Sequence, residues 1–214
     1  MIALVDYCAG NLRSVKRALD FLNLQNEVTK DPKKVRAADA IIVPGVGAAG
    51  AAMRELDQVG LTEVLREEIP KKPFLGICLG LQILFEKSAE DNAECLGIFK
   101  GSVEKFSSAD IKVPHIGWNP VDFPSTSSHS AGSGRAGQAK TPQIMEGIKS
   151  GTPLYFVHSY FSKPKNPEIV KATTTHGETF PAVLNRDKIW AVQFHPEKSG
   201  EAGLKILDNF AKLI

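Results

Sequence analysis

Five residues constrain this chain more than any others: Gly76-Ile77-Cys78-Leu79-Gly80. They close an apolar run, 73–77, and open a segment, 79–87, that reads as a helix. G-x-C-x-G at a strand-to-helix turn is the sequence form of a nucleophile elbow, with sulfur in place of the serine oxygen. So sharp a turn crowds its own backbone and needs small residues on both sides of the nucleophile, here Gly76 and Gly80. It also aims Cys78 at the start of the following helix, where partial positive charge favours a thiolate. A chain carrying this turn needs a sheet whose strands run directly into helices.

The first half of the sequence meets that demand. Residues 2–5 read as a short buried strand. Leu12, Val15, Leu19 and Leu22 recur at helical spacing, which predicts a helix over about 12–22. A strand is expected at 27–29, and another at 40–43, apolar throughout as a strand covered on both faces should be. Helices at about 50–59 and 61–68 precede the elbow strand. Alternating strands and helices predict an α/β fold with an open, mostly parallel sheet flanked by helices. Sites in such sheets collect at the carboxyl ends of the strands, where Pro44 to Gly47 and Cys78 both fall. The second half is richer in strands, expected at 101–106, 154–158, 169–174, 181–185 and 189–194. The last two are joined as a hairpin through Arg186-Asp187-Lys188, and a closing helix spans 204–213. Residues 1–214 are expected to form one domain, without internal repeats.

A second motif, Gln193-Phe194-His195-Pro196-Glu197-Lys198, supplies partners for the cysteine. His195 suits a general base for Cys78 and an acid for the leaving group. Glu197 suits the third member of a triad, accepting from the other ring nitrogen and fixing its tautomer. Pro196 biases His195 towards an extended backbone. Residues two apart in an extended segment point to the same side, so His195 and Glu197 are expected to face the elbow together.

The two motifs together resemble the triad, or class I, glutamine amidotransferases, with their G-x-C-x-G nucleophile and F-H-P-E ending, and the resemblance spans nearly the whole chain. Within that class, four segments resemble the glutaminase subunits of imidazole glycerol phosphate synthase. They are Val5-Asp6-Tyr7 leading into Gly10-Asn11-Leu12-Arg13-Ser14-Val15, then Pro44-Gly45-Val46-Gly47, His115-Ile116-Gly117-Trp118-Asn119, and Tyr155-Phe156-Val157-His158-Ser159-Tyr160. The resemblance implies that the Cys78 thiolate attacks the side-chain amide of glutamine. The Leu79 amide, next after the nucleophile, is one oxyanion donor, and the resemblance draws the other from Gly45-Val46-Gly47. It also implies that Gln82, Glu90 and Ser159 line the glutamine site. Asn11 is assigned to the same site, at a strand end beside the oxyanion segment; a helix N-cap is a compatible role for it. Tyr155 and Lys198 match positions at a subunit interface. No second synthase domain is visible, so the resemblance implies a heterodimer with a cyclase subunit, a TIM barrel that consumes the ammonia in histidine biosynthesis. A glutaminase serving another synthase, a stand-alone cysteine amidase and a regulatory subunit with an unused triad are the alternatives. Gly10-Asn11-Leu12 and the 155–160 segment argue against the first, and the intact triad argues against the last.

Two segments depart from the pattern. Residues 124–140 form a Ser/Gly/Ala-rich insertion with almost no apolar anchor, expected to be a mobile surface loop where the resembled family has a shorter connection. Ala48-Ala49 follows the oxyanion glycines where the family carries a bulkier residue.

Bulk properties narrow the remaining options. Charges nearly balance, 26 basic against 24 acidic, so neither nucleic acid nor an anionic membrane is an expected partner. Cys8, Cys78 and Cys95 form no C-x-x-C or paired framework, which fits a reducing compartment. The N-terminus lacks the basic lead-in of a signal peptide, and no apolar run reaches transmembrane length. A cytoplasmic enzyme needing neither metal nor cofactor is the expectation.

Overall fold

The computed structural model describes residues 1–7, 10–107, 111–123 and 141–214. In chain order the elements are β1 (Ile2–Val5), α1 (Leu12–Phe21), β2 (Asn26–Thr29), α2 (Pro32–Ala37), β3 (Ala40–Gly45), α3 (Ala49–Gln58), α4 (Thr62–Glu68), β4 (Phe74–Cys78) and α5 (Leu79–Gln82). There follow β5 (Lys87–Ser88), β6 (Ala93–Glu94), β7 (Gly101–Lys105), β8 (His115–Val121), β9 (Thr152–His158), β10 (Tyr160–Pro164), β11 (Val170–His176), β12 (Glu178–Arg186), β13 (Ile189–Val192) and α6 (Gly200–Ala211). The expected insertion at 124–140 lies outside the described residues.

The main sheet runs β11-β12-β13-β4-β3-β1-β2. Strands β13, β4, β3, β1 and β2 are parallel, and β11 and β12 add an antiparallel edge. Its central parallel strands β1, β3, β4 and β13 are buried on both faces, while the edge strand β2 is polar and half-buried. Ala3, Val5, Ile41, Val43 and Phe74 pack to one side with Val35 of α2, Leu56 of α3 and Leu65 of α4. Ile2, Leu4, Ile42, Leu75 and Ile77 pack to the other with Val15 and Leu19 of α1 and Ile206, Leu207 and Phe210 of α6. Each such aliphatic or aromatic side chain contributes roughly 1.5–3 kcal/mol on burial, so the central strands are held stiffly beneath the site.

The register decides where chemistry sits. Gly45 pairs with Cys78 across β3 and β4, and Val192 pairs with Ile77 across β13 and β4. The glycine segment, the elbow and the approach to His195 thus end side by side.

Four departures from the sequence reading have physical causes. The expected helix at 79–87 stops after Gln82. Beyond it, the Ile83, Leu84 and Phe85 carbonyls accept from the amides of Leu96, Phe99 and Gly97, so the backbone bonds across to another segment instead of along a helix. Leu81, Ile83, Leu84 and Phe85 are all fully buried, leaving no polar face for a surface helix. Helix α6 begins four residues earlier than its apolar periodicity suggests. There Gly203 packs against Pro196, and a Cβ at 203 would come within 1.9 Å of the Pro196 carbonyl oxygen. Helix α2 is too short to show a period, but it is capped by Asp31, whose carboxylate accepts from the Lys33 amide at 2.8 Å, with Pro32 in its first turn. Strand β8 contains Gly117 and Pro120 and, among the described residues, pairs only with β9, an edge position that tolerates proline. Among the described residues no helix is long and apolar enough to cross a membrane.

Candidate active site

Cys78 ends β4 with φ 54° and ψ −104°, a backbone conformation that L-residues rarely adopt. Crowding accounts for both flanking glycines. A Cβ at Gly76 would lie 2.5 Å from the Gly80 carbonyl oxygen, and one at Gly80 would lie 1.8 Å from that of Val43. The elbow is therefore real and strained. Because α5 is only four residues long, its dipole is a weak source of positive charge. The stronger source is His195.

His195 leaves β13 in an extended conformation, φ −102° and ψ 96°, as Pro196 requires. The following Pro196–Lys198 segment then turns into a single 3₁₀ turn rather than staying extended. That turn, not strand alternation, carries the Glu197 carboxylate back to His195, with Nδ1 2.8 Å from Oε1. Both side chains are fully buried. Bonding at Nδ1 leaves Nε2 without a hydrogen-bond partner among the described residues, and His195 interacts with Cys78. Burial alone pulls the imidazole pKa down, but the Cys78 thiolate and the Glu197 carboxylate outweigh it and lift it to about 10. The site therefore favours a protonated His195 imidazole beside the Cys78 sulfur. Strand β9 clamps this segment. The His195 amide donates to the Tyr155 carbonyl at 2.8 Å, and Ser199 Oγ bridges the Tyr155 amide and the His195 carbonyl.

Asn11 sits in the N-cap position of α1 but makes no side-chain cap. Its amide instead donates to Glu197 and lies 3.1 Å from His195 Nδ1. The structure thus puts it against the His195–Glu197 pair, and it does not line the cavity beside Cys78.

That cavity measures about 380 Å³, within the range of small-molecule sites, and is lined by Val46, Gly47, Ala48, Cys78, Leu79, Gln82, Glu90 and residues 157–160. Gly47 has φ +108°, open to glycine, and Gly45 is closed to any side chain because a Cβ there would lie 2.0 Å from the Tyr7 hydroxyl. Gln82 is buried and donates to the Tyr160 carbonyl at 2.8 Å. Glu90 accepts from the Ala49 amide at 2.9 Å, tying the cavity wall to the start of α3, and its burial raises its pKa. Ser159 lines the wall, and its carbonyl accepts from the Phe106 amide. The structure thus gathers Cys78, Leu79, Val46, Gly47, Gln82, Glu90 and Ser159 around one cavity.

Tyr155 and Lys198 lie outside it. The Lys198 ammonium sits 5.7 Å from the centre of the Tyr155 ring, and Trp118 meets that ring edge-on. Ile116 and Trp118, more than half exposed, stand opposite Val157 and Tyr155 on the outer face of the β8–β9 pair.

One site neighbour carried no role in the sequence reading. Gln193 is fully buried and donates from Nε2 to Cys78 Sγ at 3.6 Å. Its signal was its position two residues before His195, on the same side of an extended segment.

The class-I glutamine amidotransferase family model matches residues 3–213, and the chain belongs to that family. Imidazole glycerol phosphate synthase subunit HisH 1 of Methanococcus maripaludis is 42% identical over 219 residues, covering all of both chains. Subunit HisH of Nitrosomonas europaea is 44% identical over 221 residues, covering 99% of this chain and 97% of that protein. Within class I, the chain groups with these HisH subunits. A crystal structure of a glutamine amidotransferase superposes with a TM-score of 0.72 at 18% identity, covering 100% of this chain and 98% of that one. The glutaminase domain of Trypanosoma brucei CTPS superposes with a TM-score of 0.62 at 17% identity, covering 100% and 94%. These last two likenesses are of fold.

Proposed function

We propose that this chain is the glutaminase subunit of an imidazole glycerol phosphate synthase. In this reading it hydrolyses glutamine to glutamate and passes the ammonia to a cyclase subunit in histidine biosynthesis. The observation that carries the proposal is the strained Cys78 on the wall of a 380 Å³ cavity, beside a buried His195–Glu197 pair.

The chemistry follows from those groups. Cys78 Sγ attacks the side-chain carbonyl carbon of glutamine, forming a tetrahedral oxyanion. The Leu79 amide and an amide from Gly45-Val46-Gly47 hold its charge; losing one such donor typically costs on the order of 100- to 1000-fold in rate. The His195 imidazolium gives its proton to the amide nitrogen, the C–N bond breaks, and ammonia leaves. Water then adds to the γ-glutamyl thioester while His195 takes up a proton. The C–S bond breaks and glutamate is released. Glu90 suits the ammonium group of glutamine, while Gln82 and the backbone at Ser159 shape the cavity around it. Asn11 serves the pair His195–Glu197 rather than the substrate, and Gln193 steadies the sulfur.

Ammonia released into neutral water is mostly protonated and no longer a nucleophile, so delivery through a protein partner is part of the reading. The exposed Ile116 and Trp118, with Tyr155 and Lys198 beside them, suit the docking face for a TIM-barrel cyclase in a heterodimer in the cytoplasm. The test is glutamate release with and without that cyclase and its nucleotide. Strong stimulation, absent in Cys78→Ala, supports the reading. Fast release by the chain alone, indifferent to the cyclase, makes it a stand-alone amidase.

A further inference from the structure

Outside the triad, one buried hydroxyl stands against the glycine segment. Tyr7 follows β1 and is 3% exposed. Its Oη donates to the Pro44 carbonyl at 2.8 Å. A Cβ placed on Gly45 would lie 2.0 Å from that hydroxyl and 2.9 Å from Leu79 Cβ. The phenol, Gly45 and the residue after the nucleophile therefore pack in one layer, and Gly45 is in register with Cys78. Tyr7 also borders a hollow of about 200 Å³ with Val46, Gly47, Ala48 and Leu79. The glycine segment thus runs between this hollow and the cavity beside Cys78, both of which Val46, Gly47 and Ala48 line.

Pro44 lies where β3 has lost one of its two neighbours: pairing with β1 ends at Ile42, while pairing with β4 continues through Gly45. Upstream, β3 is held on both sides by β1 and β4. Two residues downstream of Gly45, Gly47 has already turned to φ +108°. A donor amide on such a segment stabilises an oxyanion only if its starting point is fixed, because displacements of about 1 Å in a catalytic group cost roughly 100-fold in rate. We infer that Tyr7 is a positioning residue for the oxyanion segment: its hydroxyl anchors the Pro44 carbonyl, so that Gly45-Val46-Gly47 presents an amide to the adduct on Cys78. Burial and the nearby Cys78 thiolate hold the phenol's pKa far above its ordinary value, so it is a permanent donor. The inference rests on the glutaminase reading above.

The experiment compares wild type, Cys78→Ala and Tyr7→Phe, each assembled with the cyclase subunit and its nucleotide. Three quantities are read: kcat and KM for glutamine, and affinity for the γ-aldehyde analogue of glutamine, which forms a tetrahedral thiohemiacetal with the cysteine. Positioning predicts that Tyr7→Phe lowers kcat about 10- to 100-fold and weakens the aldehyde by a similar factor, while KM stays within about twofold. A variant with 4-aminophenylalanine at position 7, which keeps an N–H donor at the same point of the ring, recovers most of the loss. Wild-type kcat and aldehyde affinity in Tyr7→Phe overturn the inference. So does an equal weakening of glutamine and aldehyde, or a loss the amino variant does not restore, since each marks a packing role. A wild type that releases no glutamate, or a Cys78→Ala variant that releases it at the wild-type rate, overturns the glutaminase reading itself.

Discussion

His195 and His158 are nearly equal in burial, 0% and 6% exposed, and opposite in character. His195 keeps its proton, with a pKa lifted to about 10 because Cys78 and Glu197 overcome the cost of burial. His158 is pushed down to about 3 by burial, only partly offset by the Tyr160 carbonyl that accepts from its Nδ1 at 2.8 Å. Its Nε2 lies 3.1 Å from His115 Nδ1, and with Nδ1 already donating, Nε2 must accept. His115 is also held down, to about 4, by burial and then by His176, whose ring stacks on it at 4.2 Å. Around these histidines lie Phe106, Phe156 and Phe180, and among the described residues no carboxylate contributes to holding a charge on His115 or His158. Burial sets the cost of charging an imidazole; the partners decide whether that cost is met. One end of this sheet is built to hold charge, and the adjoining aromatic layer is built to exclude it.

The largest expected effect breaks the charged side of the comparison. Cys78→Ala should lower glutaminase turnover by about 10⁵-fold or more, and NMR titration should find the His195 pKa fallen well below 10. Should His195 stay near 10, Glu197 alone sustains its charge. Glu197→Gln removes the carboxylate but keeps the shape. It should cost roughly 10³- to 10⁴-fold in kcat and also lower the His195 pKa, leaving Cys78 as the sole support. Asn11→Ala, which removes the amide contacting both residues, should cost about tenfold in kcat with little change in KM for glutamine, measured by steady-state kinetics. A rise in KM alone would return Asn11 to the substrate site.

The smallest effect concerns stability. His158 and His115 have folded pKa values below the ordinary 6.5, so the unfolded chain binds more protons than the folded one between about 6.5 and 3–4. Their contribution is complete above pH 6.5 and is lost as pH falls through that window. His195 has the opposite sign: its contribution is complete below 6.5 and is lost as pH rises towards 10. His158→Gln keeps one donor and one acceptor but does not titrate. Thermal melting should show a shallower loss of Tm between pH 6.5 and 4 in this variant than in wild type, by roughly a few degrees. Identical acid profiles would show that the aromatic layer does not set acid stability.

The same contrast explains what could be read from sequence. The elbow and the alternation of strands and helices were legible because each is a local pattern, small residues around a nucleophile and a hydrophobic period; the His195–Glu197 pair was legible as a motif, although a 3₁₀ turn and not the two-residue spacing of a strand brings its members together. Less visible was anything decided by a distant partner. The helix after Cys78 ends because Leu96, Gly97 and Phe99 take the carbonyls of residues 83–85, which no local period reports. Strand β8 hides its identity behind Gly117 and Pro120, and only β9 reveals it. Asn11 reads as a cap by its place before α1, yet its side chain is drawn to residues 184 and 186 positions away. Gln193 and Tyr7 stand in quoted motifs, but their contacts with Cys78 and Pro44 arise only once the strands are side by side.

The central claim, that Cys78 forms a covalent γ-glutamyl intermediate under the control of His195, is tested most directly by acid-quenching the assembled enzyme during glutamine turnover and mapping its peptides by mass spectrometry. The account predicts a γ-glutamyl adduct on Cys78 in the wild type that is lost in Cys78→Ala and strongly reduced when His195 is replaced by a residue unable to protonate the leaving amide. Turnover without any adduct, or an adduct on another side chain, would contradict it.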